Sequence, residues 1–217
     1  MDAQNSRQAF ARLTALGMVS AGICACLGWM LLKTTSTTLD TRLLQFVVAH
    51  RTGWLTGSMR IVTWLGSRWI LAPLITLVGG FFVLRRRDWR PGTRLAAALV
   101  GAFGLHLLVR HFVPRPRPPA HLWIDVYTGT SFPSLHATIT IAVYGMLSVI
   151  LCSNQSQRRR TLIWSLAALV TLIVGASRVY LGAHWPTDVF GGYALGAAWL
   201  SFLLAMTSLV WMPIHHR

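Results

Sequence analysis

The sequence predicts an all-α fold, a polytopic membrane bundle of six transmembrane helices with an amphipathic helix lying at the interface between the first two. Three observations carry this expectation. Of the 217 residues, 54% are hydrophobic, and the mean hydropathy of +0.54 is too high for an ordinary soluble domain. The apolar residues gather into runs of roughly 20, the length that crosses a bilayer core. Charge is confined to the connections: 20 Lys+Arg against 5 Asp+Glu give a formal net charge of +15. These arginines sit in short links rather than along one face or a tail, which excludes a nucleic-acid partner and suits an anionic lipid surface.

Taken in order, the runs fall at 13–32, 61–84, 93–112, 133–152, 162–179 and 187–211. Arg7 and Arg12 precede the first, and Lys33 follows it with no small-residue cleavage site between, so it reads as a retained span. In the mixed stretch 34–60, Leu39, Leu43, Leu44, Phe46, Val47 and Val48 suit an interfacial helix, with Asp40, Arg42 and Arg51 as its solvated face. Arg68 is buried if the second span begins at Ile61, so either it snorkels or the span starts later. Cys24, Cys26 and Cys152 lack metal-ligand spacing and read as small core residues. Trp69, Trp89, Trp123, Trp185 and Trp211 fall near span ends, as interfacial aromatics do. No repeat or linker divides the chain, which reads as one membrane domain over 1–217.

Basic residues at 7 and 12, 85–94, 158–160 and 217 share one side of the membrane when both termini are cytoplasmic. Lys33, Arg42, Arg51 and Arg60 oppose that assignment, and so do Arg110, Arg115 and Arg117 unless they bind phosphate. With six spans, three polar clusters then share the outer face: the end of span three, the start of span four and the link between spans five and six.

The last of these clusters, SRVYLGAHWPTD at 177–188, brings Ser177, Arg178, His184 and Asp188 together between two apolar runs. Charges so near a bilayer core are costly and mark function. Arg178 offers a planar fork suited to phosphate oxygens, His184 is a nucleophile or proton carrier at neutral pH, and Asp188 suits the fixing of its tautomer. Pro186 starts a helix, leaving His184 just ahead of an anion-attracting N-terminus. A polar helix cap explains this cluster equally well by itself. The other two shift the balance: RHFVPRPRP at 110–118 closes one apolar run and FPSLH at 132–136 opens another.

Together these residues resemble the type 2 phosphatidic acid phosphatase family, whose motifs are K-x6-RP, PSGH and SR-x5-H-x3-D. Arg110 with Arg117 and Pro118 matches the first, residues 133–136 the second, and Ser177, Arg178, His184 and Asp188 the third. Arg110 replaces lysine, keeping charge but changing donor geometry. Leu135 replaces glycine, and the expectation is a narrowed phosphate pocket or an altered choice of substrate. The resemblance implies that Arg110, Arg117, Arg178 and Ser134 bind the substrate phosphate, with backbone N–H groups at the start of span four. It further implies that His184 attacks phosphorus, Asp188 orients it, and His136 protonates the leaving lipid oxygen. His106, one turn before Arg110, reads as a satisfied interior histidine, and Arg115 as a loop charge.

The activity implied is that of a lipid phosphatase in a bacterial inner membrane, with a lipid phosphate or diphosphate as substrate and membrane lipids as surroundings. Undecaprenyl diphosphate, phosphatidylglycerol phosphate and lipid A phosphates are the candidate substrates. Phosphotransfer to a second lipid stays open, and loss of catalysis in favour of anionic-lipid binding or transport is disfavoured by the presence of both His136 and His184. No cofactor or metal is implied, because Asp2, Asp40, Asp88, Asp125 and Asp188 are too scattered for a carboxylate cluster.

Overall fold

The computed structural model describes residues 3–210, and Asp2, Trp211 and Arg217, which entered the reading above, lie outside the described residues. Eight α-helices and one 3-10 turn make up the regular structure of the described residues, without a strand. The helices are α1 (Ala3–Lys33), α2 (Thr38–Ala49), α3 (Gly53–Trp64), α4 (Arg68–Arg86), α5 (Arg90–Phe112), α6 (Leu135–Leu151), α7 (Gln157–Tyr180) and α8 (Pro186–Val210), with the 3-10 turn at Ala120–Leu122. Five helices, α1, α4, α5, α7 and α8, are long and apolar enough to cross a membrane, and α6 is a shorter apolar helix. At 17 residues it is also the most enclosed, with ten buried residues facing its neighbours.

Two packing centres hold the bundle. Leu71, Ile75, Leu95, Ala98, Ala102, Ile139, Val143 and Met146 knit α4, α5 and α6. Cys24 and Leu31 of α1 meet Val113, Phe132 and Leu195. Between these centres α8 lies almost on the backbone of α6: a Cβ on Gly192 meets the Ser134 carbonyl oxygen at 2.6 Å, and one on Gly196 meets the Thr138 carbonyl oxygen. This small-x-x-x-small spacing lets two helices approach as closely as lipid-embedded helices do. It sets the α8 N-terminus beside that of α6, where Ser134 N–H donates to the Asp188 carbonyl at 2.9 Å.

The structure corrects several expectations. The run 61–84 is not one helix: α3 ends at Trp64 and α4 starts at Arg68, so Arg68 opens a span rather than lying inside one. Gly66 makes the break possible, since a Cβ there meets Val174 at 2.6 Å and His136 at 3.2 Å. Stretch 34–60 holds two helices, and α2 has a capping box in which Thr37 and Asp40 satisfy each other's backbone N–H. Asp40 is fully buried rather than solvated. Arg51 bonds the carbonyls of Tyr180 and Leu122 instead of facing water. Cys26 is exposed, unlike buried Cys24 and Cys152. Trp185 is buried, its indole N–H donating to the Pro116 carbonyl at 3.1 Å, so it packs inside rather than at an interface.

Candidate active site

The three clusters converge at one end of the bundle, where α5 ends, α6 begins and α7 turns into α8. Gly182 makes that last turn: its φ is +78°, and its Cα lies against the Leu122 carbonyl, where no side chain fits. The turn places His184 just before Pro186, buried at 4% exposure. Its Nδ1 lies 3.5 Å from Asp188 Oδ2, near the carboxylate but without a hydrogen-bond partner. Its Nε2 lies 3.4 Å from the Arg117 guanidinium. Burial, helped by Arg117 and Arg178 against the opposing pull of Asp188, pushes the imidazole down to about 4. His184 is therefore neutral at physiological pH, with Nε2 turned toward the arginines.

Those arginines arrive from separate elements. Arg117 donates to the carbonyls of Thr128 at 3.2 Å, Gly129 at 3.2 Å and Ala183 at 2.5 Å. Arg110, from the last turn of α5, donates to Thr130 Oγ1 at 2.9 Å and lies against the Cα of Gly129. Arg178, from the last turn of α7, donates to Thr63 Oγ1 at 2.9 Å, while its Nε is buried without a partner. The Tyr127 ring stands 5.8 Å from the Arg117 guanidinium and 5.2 Å from that of Arg178, bringing both cations to one place. His136 lies in the first turn of α6, packed beside Gly66. The Ser134 hydroxyl is buried and has no partner. The N–H groups of residues 135–137 have no intrahelical acceptor, as in any first turn, so this corner carries unspent donors.

Leu135 does not narrow that corner, because its side chain packs against the α4–α5–α6 cluster. His106 is interior on α5 as expected, beside the Pro133 backbone, but its Nδ1 has no partner. Arg115 is no loop charge: its guanidinium is fully buried, 2.5 Å from Asp188 Oδ1 and 2.7 Å from Asp40 Oδ2. Asp188 also accepts from the Trp185 N–H at 2.8 Å and from the Ser131 hydroxyl. Burial alone raises the Asp40 carboxyl, yet hydrogen bonds from Thr187 and Arg115 hold it below the usual carboxylate range. Sequence reasoning missed Asp40, Arg115 and Ser131. The one available signal was Thr37-x-x-Asp40, a capping-box spacing that would have set Asp40 at a helix start rather than on a solvated face.

Among the described residues no three His, Cys, Asp or Glu side chains gather as metal ligands. A neutral histidine with one nitrogen turned to a carboxylate and the other to arginines is equipped for phosphoryl transfer. Set at one end of an all-helical bundle with membrane-length spans, it defines a membrane phosphatase. The chain belongs to the PAP2 superfamily, whose model matches residues 91–211. It is 31% identical over 163 residues to phosphatidylglycerophosphatase B of Bacillus subtilis, covering 72% of this chain and 77% of that protein. It is 30% identical over 154 residues to an undecaprenyl-diphosphatase of Sulfolobus acidocaldarius, covering 69% and 68%. The crystal structure of a transmembrane PAP2-type phosphatidylglycerolphosphate phosphatase from Bacillus subtilis shares the fold, with a TM-score of 0.83 over 91% of this chain and 98% of that one, at 24% identity. These relatives are lipid phosphatases, and so is this chain.

Proposed function

We propose that His184 is the nucleophile of a membrane hydrolase acting on a lipid phosphate monoester or diphosphate, and that the reaction runs through a phosphohistidine. The orientation of its imidazole carries this reading: Nδ1 is turned to Asp188 and Nε2 to Arg117. Arg110, Arg117 and Arg178 hold the equatorial phosphate oxygens, with the Ser134 hydroxyl and the free N–H groups of the α6 first turn completing the cradle. His184 Nε2 forms a bond to phosphorus as the bond from phosphorus to the lipid oxygen breaks, and His136, which takes up a proton when the anionic phosphate binds beside it, gives that proton to the oxygen. Water then attacks phosphorus, its proton passes to His136, and the nitrogen–phosphorus bond breaks to release phosphate. Asp188, 3.5 Å from Nδ1 here, closes on Nδ1–H and steadies the imidazolium character that develops.

In this reading α6 is the sixth span, α2 lies at the interface, both termini are cytoplasmic, and the site opens on the outer face. The substrates in its relatives' names, phosphatidylglycerol phosphate and undecaprenyl diphosphate, define the classes to try first. Purified protein given a panel of lipid phosphates and diphosphates is expected to release inorganic phosphate from at least one. Transfer of the phosphoryl group to a second lipid without release would replace hydrolysis by phosphotransfer. A reporter active only outside the cytoplasm should give signal near Ala120 and none after Arg87 or Arg160, and the reverse pattern would overturn the orientation.

A further inference from the structure

We propose that Asp40 and Arg115 are positioning residues for the nucleophile: Asp40 takes half of the Arg115 fork, so that Asp188 keeps a net negative charge toward His184. This rests on the reading of His184 as the attacking group. Neither residue occupies a defined position of the motifs that carried the sequence reading, although Arg115 lies within the first of them, and Asp40 comes from α2, a helix otherwise peripheral to the site.

The geometry is that of a shared cation. The side chains of Arg115, Asp40 and Asp188 are each 0% exposed. One Arg115 terminal nitrogen meets Asp188 Oδ1 at 2.5 Å and Thr187 Oγ1 at 2.7 Å. The other meets Asp40 Oδ2 at 2.7 Å, and Nε donates to the Thr35 carbonyl at 3.0 Å. Asp40 uses both its oxygens: Oδ1 accepts from Thr187 N–H at 2.9 Å. Oδ2 accepts from the Thr187 hydroxyl at 2.9 Å and Thr37 N–H at 3.1 Å besides Arg115. None of these bonds goes to Arg110, Arg117, Arg178 or His136, so the pair does not touch the phosphate cradle.

One guanidinium bonded to two carboxylates leaves one negative charge with no directly bonded cation in a site closed to solvent, Arg117 acting on Asp188 only at longer range. An uncompensated buried charge is destabilising, and it persists only where something stabilises it. Two groups do so here. The α8 N-terminus offers the N–H groups of Thr187 to Asp40 and Trp185 to Asp188, with its positive dipole end beside them. The His184 ring is the second, because it gains positive charge as Nε2 bonds phosphorus and Asp188 Oδ2 is the carboxylate oxygen nearest its Nδ1. If Arg115 paired with Asp188 alone, the pair would be neutral and its attraction for the forming imidazolium largely spent. Asp40 prevents this by dividing the cation.

The test uses the full chain in detergent and a long-chain phosphatidic acid as probe, with turnover normalised to the number of sites that label as phosphohistidine. Asp40→Asn should lower kcat per labelled site by about 10- to 100-fold, a single lost charge acting on one developing charge. KM should stay within about twofold, since no cradle residue is touched. Asp40→Glu, which keeps the charge, should recover part of the loss. Arg115→Lys keeps the cation but loses the planar fork whose two terminal nitrogens reach the two carboxylates separately, so it should also lower kcat with KM held; it decides the matter if Asp40→Asn does not fold. A merely structural role would reduce the fraction of labelled sites and leave kcat per site at the wild-type value. That outcome, in either Asp40→Asn or Arg115→Lys, overturns the inference alone. Wild-type protein that releases phosphate without ever labelling at His184 overturns the nucleophile assignment itself.

Discussion

Replacing Gly192 by alanine tests whether the α6–α8 contact sets the site. The added Cβ would stand 2.6 Å from the Ser134 carbonyl oxygen and 2.9 Å from Ala137 Cβ, where ordinary contact begins at 3.4 Å. The nearest obstacle is backbone, so α8 must retreat by about 0.8 Å rather than a side chain rotating away. That displacement would stretch the Ser134 N–H to Asp188 carbonyl bond from 2.9 Å to about 3.7 Å, past the range in which it counts as a hydrogen bond. Overpacking of this kind costs about 1–3 kcal/mol, and a shift near 1 Å at a nucleophile lowers turnover by about 100-fold. Thermal unfolding in detergent reads the first effect and phosphate release per folded protein the second. Gly104→Ala is the control: nothing lies within 4 Å of its Cβ, so helix propensity alone should stabilise it by about 0.5–1 kcal/mol. Wild-type turnover and stability in Gly192→Ala would refute the claim that this close approach positions Asp188.

Two further outcomes follow from the same geometry. Folded His184 titrates at about 4 against 6.5 for a free imidazole, so the folded chain binds fewer protons than the unfolded chain between those values. Stability is untouched by this group above pH 6.5, and the loss grows as pH falls, reaching about 3 kcal/mol below both values. The difference in unfolding temperature between wild type and His184→Gln should therefore change across that window, and a constant difference would contradict the burial effect. Leu135→Gly should destabilise by about 1–2 kcal/mol through lost packing and a weaker first turn while leaving the order of preference among lipid phosphates unchanged; a broadened profile would restore the narrowed-pocket expectation.

Much of this arrangement was legible because it is written in patterns that physics makes local. Apolar runs near bilayer length give α5, α6 and α8 within a few residues, while α1 and α7 begin earlier than the runs indicated, at Ala3 and Gln157. Pro186 marks the start of α8 correctly, since proline belongs in a first helical turn. The break at 65–67 was hidden because α3 and α4 are both apolar, and the reason for it, the contact of Gly66 with α6 and α7, is tertiary. The motif residues that meet at this corner were legible in the sequence, and their supports were not. Asp40 lies 75 residues from Arg115 and 147 from Thr187, and no periodicity reports a pairing across such separations. Arg115 stands beside Arg117 in an identical Arg-Pro context, yet one faces two carboxylates and the other faces His184. Composition alone does not distinguish them.

The central claim is that His184 carries the phosphoryl group while His136 only moves protons. A brief incubation with a lipid diphosphate labelled in its terminal phosphate, quenched at alkaline pH where phosphohistidine survives, separates the two roles. Wild type should label. His136→Ala should label and then decay slowly, because a phosphate leaving group needs little protonation whereas the attacking water still lacks its base. Asp188→Asn should label weakly, and His184→Ala not at all. Label on His184→Ala protein, or its absence from His136→Ala and wild type alike while phosphate is released, would contradict the account.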